Sequence, residues 1–354
     1  MCKFLQKAFL VLFLASYGVL YAQKKLSVSG IALPFSSPET GFNIQGGIIG
    51  AFKTNRTDSV TRASNVYVFG MYSVLRQYRI STGCEIFTNA NKYYIYSWIY
   101  HNYQPEAYFG VGQNVSPRQS EFIRYRVNFA DIKILRKIIE NVYAGAGLLA
   151  EQFDELRYPL GGIFDNNKPN GAEPYFYTGI GPVLRYDSRD NVISSKTGFY
   201  ASLEYKYFQN FSTGNNSFHL YLLDIRKFIP LDKKQHFIQA FQAYFEAVSG
   251  PAPFRMLPNI HARAYNPNTF RDNSMYHLQS ETRIKVWKRL GISVFGGISD
   301  YFFNVGESNF PNLKYNLGTG LRILMVKSYN LNMRIEYGLG VNTSNYYLSF
   351  YDAF

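Results

Sequence analysis

Over many stretches of about ten residues, apolar and polar side chains alternate one for one, and polar or Gly- and Pro-bearing segments separate the stretches. In Leu278–Val286, the residues Gln279, Glu281, Arg283 and Lys285 take one face, while Leu278, Ile284 and Val286 share the other with Ser280 and Thr282. In Leu331–Leu339, Asn332, Arg334 and Glu336 oppose Leu331, Met333, Ile335, Tyr337 and Leu339. Ile123, Tyr125, Val127 and Phe129 oppose Arg124, Arg126 and Asn128. A period of two is a strand with two unlike faces. The polar face carries charges that the dry core of a sandwich would not tolerate. It suits a barrel with lipid outside and water inside. Other stretches are less regular: Tyr93–Tyr100 is apolar on both faces, and Gly291–Phe302 is ambiguous.

The pattern predicts about sixteen strands, an even number as bacterial barrels require. They are Phe42–Phe52, Ser64–Val74, Gln77–Phe87, Lys92–His101, Glu106–Gly112, Ser120–Asp131, Asn141–Phe153, Pro174–Tyr186, Thr197–Phe208, Ser217–Phe228, Gln235–Val248, Leu278–Trp287, Gly291–Phe302, Lys314–Met325, Leu331–Gly340 and Tyr346–Phe354. Connections at Arg76, Asn102–Pro105, Ile229–Lys234, Lys288–Leu290 and Lys327–Asn330 read as short turns on one side. Those at Lys53–Ala63, Asp154–Glu173, Gly250–His277 and Asn304–Leu313 read as long loops on the other. The fold class is thus an all-β transmembrane antiparallel barrel.

The first residues change this picture only at the edge. Lys3, Lys7 and the apolar run Ala8–Leu20, ending at Ala22, read as a signal peptide over 1–22. Residues 23–41 then form a short periplasmic leader and 42–354 the barrel. Composition agrees: aromatics reach 18% and charged residues only 17% of 354 residues, with mean hydropathy −0.18, against about 25% charged in ordinary soluble proteins. The net charge of +13 is spread along the chain rather than gathered on one face, which excludes a nucleic-acid reading. Cys2 precedes the apolar run, and after cleavage Cys84 stands alone, so neither an internal disulfide nor a cysteine metal site forms.

Candidate chemistry is sparse. Gly145-Ala146-Gly147-Leu148-Leu149-Ala150 has the letters of a dinucleotide fingerprint but lies inside a strand and opens no helix. His101, His219, His236, His261 and His277 are scattered without metal-binding spacing, and no Gly-x-Ser-x-Gly elbow occurs. Asp187-Ser188-Arg189-Asp190-Asn191 lacks the oxygen run and central glycine of a calcium loop and reads as a charged turn. No cofactor, metal or enzyme activity is expected. The stretch Gly250–Tyr265 stands out: Pro251, Pro253 and Pro258 bar it from a central strand, and it ends in Ala262-Arg263-Ala264-Tyr265. A long irregular loop in a compact chain is functional or disordered, and this one reads as a plug inside the lumen.

These features resemble the bacterial surface antigen superfamily, the outer-membrane barrels of the BamA and TamA type, which includes barrel-assembly and two-partner-secretion translocases. The residues that carry the likeness are Ser37-Pro38-Glu39-Thr40-Gly41, the turn Asp187–Asn191 with Gly198 after it, Gly318, Gly320, Leu321 and Arg322, and the terminal aromatic Phe354. The family's loop motif, Val/Ile-Arg-Gly-Phe/Tyr, stands here as Ala262-Arg263-Ala264-Tyr265. Alanine at Ala264 departs from the family glycine, a residue that serves positive φ or close backbone approach.

The resemblance implies that Arg263 reaches into the lumen to meet Glu281 and Asp300. It also implies that Asp187, Arg189, Asp190 and Gly198 shape a periplasmic turn, and that Phe354 closes an assembly signal on the last strand. Family translocases carry periplasmic docking (POTRA) domains, for which residues 23–41 leave no room. The function expected is an accessory part in outer-membrane protein assembly, insertion or translocation. The alternative is a small channel or structural barrel. Expected partners are outer-membrane lipids, lipopolysaccharide, and barrel-assembly machinery or other periplasmic and outer-membrane proteins, in the outer membrane of a Gram-negative bacterium.

Overall fold

A computed structural model describes residues 27–37 and 41–354 apart from 56, 114, 117, 213, 215, 267, 305–312, 328–329 and 351. The expected signal at 1–22 lies outside the described residues. Alternating sequence becomes strand after strand: β1 (Ser27–Ser37), β2 (Gly41–Phe52), β3 (Ser64–Ser73), β4 (Tyr78–Phe87), β5 (Tyr93–Tyr108), β6 (Glu121–Ile139), β7 (Val142–Arg157) and β8 (Tyr175–Asp187). There follow β9 (Gly198–Asn210), β10 (Ser217–Pro230), β11 (Phe237–Ser249), β12 (Ser274–Trp287), β13 (Leu290–Phe302), β14 (Lys314–Val326), β15 (Leu331–Gly340) and β16 (Thr343–Phe350). All sixteen lie in chain order in one antiparallel sheet. No described helix is long and apolar enough to cross a membrane.

The strand number agrees with expectation, but two differences cancel within it. Ser27–Ser37, expected as leader, is a strand paired with β2 from Ser27↔Ala51 to Ser37↔Gly41. The two strands expected at Lys92–His101 and Glu106–Gly112 are one, β5, running straight through Pro105. Its ladder to β4 stops at Tyr78↔Tyr103, whereas its ladder to β6 continues to Tyr108↔Glu121. Pro105 therefore sits past the end of β4, where a missing N–H breaks no bond on that side.

The two faces of the sheet differ as period two requires. On β9, Tyr200, Ser202, Glu204, Lys206 and Phe208 are buried, while Leu203 and Tyr207 are exposed. Exposed apolar residues on the neighbouring strands include Ile180, Leu184 and Tyr221. The buried face is an interior, because side chains meet across it. Arg62, from the loop after β2, binds Asp187 of β8 at 2.9 Å, and Arg271, before β12, binds Glu106 of β5 at 2.6 Å.

The contact of Arg62 with Asp187 also corrects a loop assignment. It puts the long loop after β2 at the end of the barrel that carries the β8–β9 turn, opposite the end expected.

Among the described residues no ladder joins β1 to β16. Ile49 of β2 and Leu331 of β15 nevertheless share one apolar cluster with Ile193. β1 also comes near β14, so the sheet wraps round until its edges approach, and among the described residues no backbone ladder spans the seam. Two features disfavour pairing there: Pro34 on β1 has no N–H to give, and the chain after β16 turns away from the wall into the interior.

Candidate functional site

The loop between β11 and β12 passes down the interior and carries three arginines, each held by the wall. Near its start, Arg255 binds Glu106 at 3.1 Å and Glu151 at 3.3 Å and also donates to the Tyr125 hydroxyl. Phe254 beside it packs edge-on against Tyr108, Phe153 and Phe164. Near its end, Arg271 donates to Glu106 and to the carbonyl of Phe254 at 3.2 Å. One carboxylate, Glu106, therefore staples both limbs of the loop to β5. A guanidinium suits this role because its donors form a planar fork that stays charged.

The tip lies against the opposite wall. Nη1 of Arg263 donates to Glu281 on β12 at 2.6 Å and to Glu336 on β15 at 2.9 Å, while Nη2 donates to Gln279 at 3.2 Å. Its Cζ stands 3.6 Å above the centre of the Phe295 ring on β13, a cation–π contact. The expected pairing with Glu281 is present, and the expected pairing with Asp300 is not. Register explains this: Glu281 is opposite Phe295 and Tyr276 is opposite Asp300, so Phe295 and Asp300 lie an odd number of residues apart on opposite faces of β13. Asp300 accepts instead from the backbone N–H of Tyr301 at 2.9 Å.

Ala264 is fully buried with φ 133°, a backbone state that favours glycine. Its conformation is held from both sides. Its N–H donates to the Tyr347 hydroxyl at 2.8 Å, and its carbonyl accepts from Thr343 at 3.2 Å and Asn345 at 3.3 Å, all on β16. The Tyr265 hydroxyl donates to the Tyr315 carbonyl and accepts from the Val341 N–H, each at 2.8 Å. The sequence reading missed what makes room for this. A Cβ added at Gly338 would come within 2.8 Å of the Arg263 carbonyl oxygen, and one at Gly340 within 2.7 Å of the Tyr265 ring. Parity on β15 placed both glycines on the polar face, which was the available signal.

A second segment enters from the other end. The residues after β16 turn inward, so that Asp352 binds Arg283 at 2.8 Å and also Arg322, and Phe354 packs on Phe228 and Ala240. Phe354 is thus inside the lumen and not on the last strand, where an assembly signal was expected. Burial of its ring beside Phe228 and the pull of two arginines on Asp352 account for the inward course. Glu281 joins the two segments: one oxygen takes Arg263 of the loop, and the other takes Arg283 at 2.8 Å and Arg322 at 3.5 Å.

The turn residues behave as a local clasp. Asp187 accepts Nε and Nη2 of Arg189, both at 2.9 Å, and binds Arg62. Asp190 accepts the backbone N–H groups of Lys196 at 2.9 Å and Thr197 at 3.1 Å. Gly198 has φ 107° with the Ser188 carbonyl so near that a Cβ would clash. The turn folds inward, where Arg283 donates to the Ser195 carbonyl at 3.1 Å. Among the described residues no group of His, Cys, Asp and Glu could hold a metal ion.

A sixteen-stranded wall with a charged interior occupied by its own loop is the architecture of outer-membrane β-barrels. Among solved structures, the chain is similar to BamA from Haemophilus ducreyi lacking POTRA domains 1–3, with TM-score 0.57 and 10% identity over 93% of this chain and 71% of that one. It is also similar to CdiB from Acinetobacter baumannii, with TM-score 0.55 and 9% identity over 90% of this chain and 57% of that one. CdiB from Escherichia coli gives TM-score 0.57 and 8% identity over 93% of this chain and 62% of that one. The chain spans less than two thirds of either CdiB chain. At these identities the likeness establishes a shared fold. No protein-family model and no curated protein matches the sequence.

Proposed function

We propose that the protein is an outer-membrane barrel of the BamA and CdiB type that acts as an accessory component in the assembly, insertion or translocation of other outer-membrane proteins. The observation that carries this reading is the grip of Glu281 and Glu336 on Arg263, together with the docking of Ala264 on β16. The plug thereby rests on the strand that borders the unbonded seam. An unpaired strand edge is a template for another strand, and a plug bound to that strand links the state of the lumen to the state of the edge. Partners in this reading are outer-membrane lipids, lipopolysaccharide and other periplasmic or outer-membrane proteins. The occupied lumen weighs against the alternative of an open channel.

Depletion followed by quantitation of outer-membrane proteins and lipopolysaccharide tests the proposal. A selective fall in one or more barrels, restored by the wild-type gene and not by Arg263→Ala, is expected. Unchanged levels throughout would sink it.

A further inference from the structure

A cavity of about 310 Å³ opens at the barrel end that carries the β8–β9 turn, between the ends of β11, β12, β13 and β14. Its lining combines Lys196, Lys285, Lys288, Arg289 and Lys327 with the apolar Ile238, Ile284, Leu290 and Leu324, and it holds no acidic residue. Among the described residues none of these five cations forms an ion pair. Arg283 and Arg322, which line its inner end, are already paired with Asp352 and Glu281, and the carboxylate of Asp232 in the β10–β11 turn accepts the N–H groups of Phe237 at 2.8 Å and Lys234 at 3.1 Å.

Val286 and Trp287, next along β12, are both 61% exposed, and Lys288 lies over the Trp287 ring at 4.8 Å. A tryptophan with a lysine at a strand end marks the level of lipid headgroups.

We propose that this cavity binds the headgroup of an anionic phospholipid in the leaflet at the β8–β9 end. Unpaired cations would meet the phosphate, and Ile284, Leu290 and exposed Val286 would meet the upper acyl chain. The mixed lining favours a lipid over free phosphate, which has no use for the apolar wall, and over an acidic peptide, which has no use for a site at membrane level. The proposal rests on the reading that the strands cross a membrane.

Dibrominated lipids test it, because they quench tryptophan on contact and Trp98→Phe leaves Trp287 as the reporter. Folded protein in neutral detergent, verified by heat-modifiable migration, is titrated with brominated phosphatidylglycerol and with brominated phosphatidylcholine. Preference for phosphatidylglycerol is expected. Each cation near an anionic headgroup contributes roughly a five-fold factor, so Lys285→Gln with Lys288→Gln and Arg289→Gln lowers the preference by about 100-fold. A control triple on the far wall of the same end, Lys92→Gln with Arg136→Gln and Lys137→Gln, retains it.

Equal loss in both triples overturns the proposal in favour of a diffuse charge effect. Displacement of the lipid by inorganic phosphate or by polyglutamate at matched ionic strength overturns it in favour of a free-anion or protein site. Quenching by both lipids without preference refutes the site alone, whereas quenching by neither refutes the membrane reading beneath it.

Discussion

Ala264 is the residue on which the tip geometry turns. A non-glycine residue held at such a φ costs about 1–3 kcal/mol, and here β16 supplies three hydrogen bonds to hold it. Ala264→Gly removes the strain at the expense of a looser unfolded chain, which leaves a gain of about 1 kcal/mol. A higher urea midpoint is the expected result, and a lower one would mean that the backbone is not strained there. Arg263→Lys offers one ammonium where the fork serves two carboxylates, Gln279 and a ring face. Trypsin should then cut the loop nearly as fast as in Arg263→Ala. The arginine and its neighbours were legible from the motif letters, whereas the positive φ at Ala264 was visible only as a departure from glycine.

At the scale of elements, β15 supplies both a carboxylate and the space for the plug. Glu336 stands on the same parity as Gly338 and Gly340, and that parity was readable from Leu331–Leu339. What it would touch was not readable, since Arg263 lies 73 residues away in sequence. Asp300 failed as a partner for the converse reason: alternation in Gly291–Phe302 is ambiguous, and only the register with β12 reveals its face. Glu336→Gln is therefore expected to expose Arg263 to trypsin, and Asp300→Asn to leave that cleavage unchanged. Glu281→Gln removes one member of a buried charge group and costs about 3 kcal/mol. It should release both the loop tip and the segment at Asp352, so that a spin label at Ala353→Cys gains mobility together with loop proteolysis. Mobility of the loop alone would show that the two segments are not joined through Glu281.

On the scale of the whole molecule, the interior is filled from both ends. The loop is pinned by Glu106 and Glu151 on one wall and by Glu281 and Glu336 on the other, while the β8–β9 turn and Asp352–Phe354 enter from the opposite mouth. Planar-bilayer recordings should find the wild type closed for most of the time. Replacement of residues 252–272 by a short Gly-Ser link should give a steady conductance. A steady pore in the wild type would favour the channel alternative.

Alternation by itself determined the fold class and, on the regular strands, which residues face the lumen, because lipid on one side and water on the other impose a period of two on any strand between them; the strand number came out right only because the missed first strand and the divided β5 offset each other. Alternation could not resolve the first strand, whose mixed Gly, Pro and apolar residues read as leader, since pairing with β2 is a non-local fact. The tertiary structure alone decided which lumen charges meet, that the last residues turn inward, and that among the described residues no ladder spans the seam. Those outcomes depend on register and on contacts across the interior, and neither leaves a local trace in the chain.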